Sequence, residues 1–71
     1  MPLDFYSQAL PIWREVGNRR GETATLNNLG RVYSDLGEKN KALEFDYQAL
    51  SIWREVEDRR GEAFALKNAP L

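Results

Sequence analysis

The chain has 71 residues, no cysteine, no histidine and a formal net charge of −1 at pH 7. The missing thiols and imidazoles exclude disulfides and remove the commonest metal ligand and the usual general base. The balanced charge provides no basic field for nucleic acid or anionic lipid, and no apolar run approaches the ~18 residues of a membrane span. We therefore expect a small cytoplasmic, non-catalytic protein without cofactor or metal.

The chain nearly repeats itself with a period of 40 residues. The segment from Gln8 to Glu22 returns from Gln48 to Glu62, and 12 of its 15 positions are identical. A fixed period of roughly 20–50 residues is typical of stacked repeats, whose single units cannot bury their apolar faces alone. The sequence therefore predicts an all-α, antiparallel array of about four helices.

The first two helices are separated by a glycine turn. The first is predicted to begin at a cap residue, Asp4, and to end near Val16. Gly17 then fits the left-handed position after a helix end, and Asn18 fits the N-cap of the second helix. The second helix is predicted over 19–36 and ends at a second glycine. Its predicted buried stripe is Leu26, Leu29, Tyr33 and Leu36.

The third helix, starting near Asn40, is apolar on two faces. A helix of this kind is expected to lie between neighbours. One face is Ala42, Phe45, Ala49, Ile52, Trp53 and Val56, and the other is Leu43, Tyr47 and Leu50. A fourth helix is predicted over 58–68. Because Glu57 replaces the glycine of the first turn, either Glu57 adopts a strained backbone or the last two helices join into one.

A motif of small and aromatic residues resembles the tetratricopeptide repeat. It comprises Asn28-Leu29-Gly30, Tyr33, Gly37, Lys41-Ala42-Leu43-Glu44-Phe45 and Gln48-Ala49-Leu50. The period of 40 resembles the long-helix class of these repeats, in which a segment similar to 58–63 opens each unit. The pattern departs from the family at Asp46 and Lys39, where aromatic residues are common.

The resemblance implies a domain layout and a binding groove. Residues 1–17 would be the second helix of one repeat, 18–57 a complete repeat, and 58–71 the truncated first helix of another. A groove that takes a partner peptide or helix would be lined by Ala24, Asn27, Asn28, Arg31, Ser34 and Asp35. The alternative interpretation is that these residues form an ordinary solvated helix face.

Self-association is the second functional hypothesis. If the last two helices join through Glu57, the end of the helix cannot fold back and would pack on another chain. We therefore expect a homodimer, swapped or end-to-end, since a domain swap is a low-cost route to dimers. Phe64 replaces Ala24 on the predicted groove face and would expose a large aromatic ring. Trp13 and Trp53 are hot-spot residue types, although their spacing favours packing between repeats. Glutamates interleave with the arginine pairs at 19–20 and 59–60, which favours ion pairs over phosphate binding.

Overall fold

The protein is described by a computed structural model that covers the backbone of residues 2–68 and the side chains of residues 3–60, 62 and 63. Within that range it forms three α-helices and no strand: α1 (Pro2–Val16), α2 (Arg19–Asp35) and α3 (Lys39–Asn68). The all-α antiparallel prediction is confirmed. The number of helices differs from the predicted four, because the third and fourth stretches form one helix of 30 residues.

The two short turns are the ones that the glycines predict. Gly17 has a φ of 70° and Gly37 has a φ of 80°, in the left-handed region that favours glycine. The Asn18 side chain accepts a hydrogen bond from the backbone N–H of Gly21 at 2.8 Å, so Asn18 is the predicted N-cap of α2. Asp4 is not a cap, because α1 begins at Pro2 and places Asp4 in the first helical turn.

The core is formed where α2 packs between α1 and α3. It contains Leu10 of α1, Leu26 and Leu29 of α2, and Ala49 and Ile52 of α3. Tyr33 and Phe45 close one end with stacked rings whose centroids are 5.4 Å apart. Leu36, predicted to be buried, is exposed: it is the C-cap that follows the last residue of α2, at the turn into α3.

Two close approaches fix the spacing of the helices. Gly21 lies under the Trp13 indole, and a Cβ built on Gly21 would be 2.6 Å from Cε3 and 2.7 Å from Cε2 of that ring. Gly30 lies against the carboxylate of Asp46 and the backbone carbonyl of Ala42. Asp46 therefore occupies the place of the aromatic residue common in the family, and it covers a glycine.

Ion pairs join the ends of the helices, as the interleaved charges predict. The Arg14 Nε donates to Glu22 Oε2 at 2.9 Å, and Glu22 is itself buried. Arg19 donates to both carboxylate oxygens of Glu55 at 2.8 Å, which connects the start of α2 to α3. Glu55 thus marks the level at which α2 begins. From there α3 runs 13 more residues, about 20 Å at the helical rise.

Candidate partner-binding surface

A groove between α2 and α3 is the main concave feature on the predicted binding side. Its wider part is a pocket of about 480 Å³, and a second pocket of about 280 Å³ continues it along α3. Thr23, Asn27 and Trp53 line both pockets. We call this feature the α2–α3 groove. Its remaining lining residues are Arg19, Arg20, Ala24, Val56, Glu57 and Arg60 in the wider part and Asp46, Ala49 and Leu50 in the narrower part.

The structure brings two of the six predicted groove residues to this groove. Ala24 and Asn27 are exposed on α2 and face Trp53 across it. Arg31, Ser34 and Asp35 are also exposed, further along α2. Asn28, in the same helix, is half-buried.

Arg20, Thr23 and Val56 are among the groove residues that the sequence did not predict. Arg20 and Thr23 lie four residues before Ala24 and Asn27, so they share one helical face with them. Val56 lies one turn after Trp53. Helical spacing from the predicted residues is the signal that would have found all three.

The rim of the groove is mainly basic. Arg19, Arg20 and Arg60 line its wider part with a single carboxylate, Glu57, and Asp46 lines its narrower part. The bidentate contact with Glu55, and then the contact with Glu22, raises the pKa of the Arg19 guanidinium above its ordinary value, so Arg19 stays charged. Arg60 lies 3.5 Å from Glu57, whereas Arg20 forms no ion pair with any residue whose side chain is described. Arg20 is therefore the cation available to a ligand.

The residues predicted to mediate self-association have different environments. Trp13 is half-buried over Gly21, inside the α1–α2 packing. Trp53 is 58% exposed. Glu57 lies on the exposed surface of the uninterrupted α3. Phe64 belongs to α3, but its side chain lies outside the described residues.

A second apolar surface follows α3 beside the narrower part of the α2–α3 groove, with which it shares Leu50. It contains Leu43, Tyr47 and Leu50, which are 49%, 64% and 42% exposed. The predicted burial of this face between two neighbours is therefore absent within one chain. We call this strip, together with Trp53 and Arg54, the α3 face.

The helix pairs, their short glycine turns and the small residues between them are the features of a helical-repeat fragment. A family model described as tetratricopeptide repeat matches residues 3–55. The chain belongs to the tetratricopeptide-repeat family. Members of this family generally mediate protein–protein interaction on a fold that is not catalytic. No curated protein and no solved structure matches the chain.

The tetratricopeptide-repeat surface has few features suited to other ligands. Within residues 2–68, no helix is long and apolar enough to cross a membrane. The described residues also contain no cluster of three or more carboxylates that could hold a metal ion. The α2–α3 groove and the α3 face each contain exposed apolar side chains.

Proposed function

We propose that the protein binds a helical or extended protein segment in the α2–α3 groove and has no catalytic role. The observation that carries this proposal is Trp53, a large exposed indole that faces the polar side chain of Asn27 across a groove. Indoles at the centre of a concave surface are common binding hot spots. The Asn27 amide can both donate to and accept from a ligand backbone.

The charge of the rim favours an acidic ligand. Three guanidinium groups and one carboxylate surround the wider pocket, and Arg20 has no described ion-pair partner. A carboxylate beside Arg20 would form a charge-assisted hydrogen bond. Arg31, exposed further along α2 at a position where the resemblance implies the groove, can pair with a second acidic group of the ligand.

A display library of random 12-residue peptides, screened on the immobilised protein, tests this proposal. The enriched peptides should carry Asp or Glu residues, and Asn27→Ala and Arg20→Ala should each weaken their binding by roughly threefold to tenfold. Fluorescence polarisation with one labelled peptide measures these changes. Trp53→Ala should have a larger effect, about tenfold or more, because it removes the apolar contact.

The control is Glu44→Ala, an exposed residue of α3 outside the groove. Its affinity for the same peptide should equal that of the wild type. A peptide whose affinity is unchanged by Asn27→Ala, Arg20→Ala and Trp53→Ala would show that the groove is not the binding site.

Self-assembly is the second candidate function, and the exposed α3 face favours it. Leu43, Leu50 and Trp53 are apolar side chains on one side of a helix, and a contiguous exposed apolar surface marks a protein-binding site. A homodimer would bury this surface without any foreign ligand.

A further inference from the structure

The α3 face has a counterpart in α1 whose partner is visible. Leu3, Leu10, Trp13 and Arg14 return 40 residues later as Leu43, Leu50, Trp53 and Arg54. In α1 these residues pack on α2: Leu10 is 9% exposed, Trp13 covers Gly21, and Arg14 binds Glu22. In α3 the equivalent Leu50 is 42% exposed and Trp53 is 58% exposed.

The segment that binds the α1 face is also repeated. The start of α2 supplies the cap Asn18, Gly21 beneath the indole, Glu22 for the ion pair and Leu26 for the core. The equivalent positions 40 residues later are Asp58, Gly61, Glu62 and Leu66. Gly61, Glu62 and Leu66 are identical to their counterparts, whereas Asp58 lies inside α3 and has no helix start to cap. The sequence over 58–68 is therefore suited to the α3 face through Gly61, Glu62 and Leu66.

That segment cannot reach the α3 face of its own chain. Both belong to the continuous helix α3, in which Trp53 and Gly61 are eight residues and about 12 Å apart. Glu62 is accordingly exposed, whereas its counterpart Glu22 is buried. Only a second copy can bring an equivalent segment to this face.

The register of the first copy predicts a closed pair. Trp13 meets Gly21 and Arg14 meets Glu22 in an antiparallel helix pair. The same register, applied 40 residues later, places Trp53 of one copy on Gly61 of the partner subunit. It also places the partner subunit's Trp53 on Gly61 of the first copy. Both contacts are then made twice, around a two-fold axis near Glu57. Such a self-complementary interface closes as a dimer.

We propose that the protein forms a homodimer in which residues 58–68 of each copy lie antiparallel on the α3 face of the other. Trp53 would cover Gly61 of the partner subunit, and Arg54 would pair with the partner subunit's Glu62. This dimer rests on the proposed function in one respect: the surface around Trp53 must be able to bind a helical protein segment. The occupant is the chain's own sequence.

Charge reversal at Arg54 and Glu62 tests the register. Sedimentation velocity on the full chain, from about 5 to 500 μM, should show wild-type mass rising towards twice the 8.2 kDa of one chain. Arg54→Glu and Glu62→Arg should each weaken the dimer by about tenfold, because two ion pairs become two repulsive pairs. An equimolar mixture of the two variants should dimerise as the wild type does, since each contact again joins opposite charges.

The mixture distinguishes this interface from other causes of weak association. Arg54 and Glu62 are exposed, so their reversal leaves the fold of one chain intact. The control Glu44→Arg changes charge by the same amount as Glu62→Arg and should leave the dimer unaffected. Circular dichroism of each variant checks that helix content is unchanged.

Three outcomes would overturn the proposal. These are a wild-type chain that stays monomeric throughout, a dimer that is insensitive to both charge reversals, and a mass that grows without limit with concentration. A dimer that dissociates on Phe5→Ala would instead place the interface on α1, where Phe5 is 73% exposed. If the wild-type chain is monomeric and still binds a peptide in a way that depends on Asn27, the proposed function is supported and the dimer is contradicted.

Discussion

The junction after α1 and the equivalent junction within α3 have almost the same sequence and follow opposite backbone paths. Val16 and Val56 precede them, and Arg-Arg-Gly-Glu follows both. At the first junction, Gly17 adopts a φ of 70° and the chain turns back. At the second junction, Glu57 stays helical and α3 continues to Asn68. One residue able to adopt the left-handed conformation thus decides whether two helices form a hairpin or a single rod.

The two paths give identical side chains different surroundings. After the turn, α2 lies against α1 and shields Leu10 and one side of Trp13. Without the turn, the segment over 58–68 continues along the helix axis and leaves Leu50 and Trp53 exposed. Comparing the same substitution at equivalent positions of α1 and α3 therefore measures how much the turn contributes to the stability of the fold.

The largest difference is expected between Leu10→Ala and Leu50→Ala. Leu10 is in the core, so Leu10→Ala should lower the free energy of unfolding by about 2–4 kcal/mol. Leu50→Ala should cost less than about 1 kcal/mol in dilute protein, because its side chain already contacts water. Urea denaturation followed by circular dichroism measures both, and equal losses would contradict the different burial of the two copies.

Gly21→Ala and Gly61→Ala are expected to change the stability by smaller amounts and in opposite directions. A methyl group on Gly21 would collide with the Trp13 ring, which should destabilise the fold by about 1–3 kcal/mol. Gly61 is inside α3, where alanine should add about 0.5–1 kcal/mol of helix stability in dilute protein. Thermal melts at low concentration measure the effect of Gly21→Ala, and the helix content from circular dichroism at the same concentration measures the effect of Gly61→Ala. Destabilisation by Gly61→Ala under those conditions would show that Gly61 is already covered within one chain.

The smallest energetic change is expected from exchanging the two junctions. Gly17→Glu should cost about 1 kcal/mol or more, because glutamate disfavours a positive φ. The double substitution Glu57→Gly and Asp58→Asn gives the second junction the sequence of the first and should break α3 there. Backbone NMR chemical shifts would show this break directly, and helical shifts through residue 57 in the double variant would contradict it.

Local residue chemistry predicted the features that depend on it. The left-handed glycines, the Asn18 cap and the core stripe through Leu26 and Leu29 were all readable from the sequence. Each follows from a preference of one residue or from helical spacing. The interleaved charges likewise predicted the ion pairs of Arg14 and Arg19.

Features that depend on a competition between two packings were harder to predict. The sequence left open whether Glu57 bends or continues the helix, because a left-handed glutamate costs only about 1–2 kcal/mol, which tertiary packing can offset. From the sequence, Asp46 was only a departure from the family pattern, since nothing local shows that its carboxylate would cover Gly30. Which residues of α2 lie opposite Trp53 depends on how α2 and α3 face one another, and spacing within one helix does not determine that.

The central position of α2 has a consequence for how the chain unfolds. Leu26 and Leu29 are shared by both outer helices, so detaching either one exposes part of the same cluster to water. Opening of one outer helix therefore weakens the attachment of the other, and residues 3–56 should melt in a single all-or-none transition. Beyond Val56, where no described side chain joins the cluster, the end of α3 can fray without disturbing that cooperative unit.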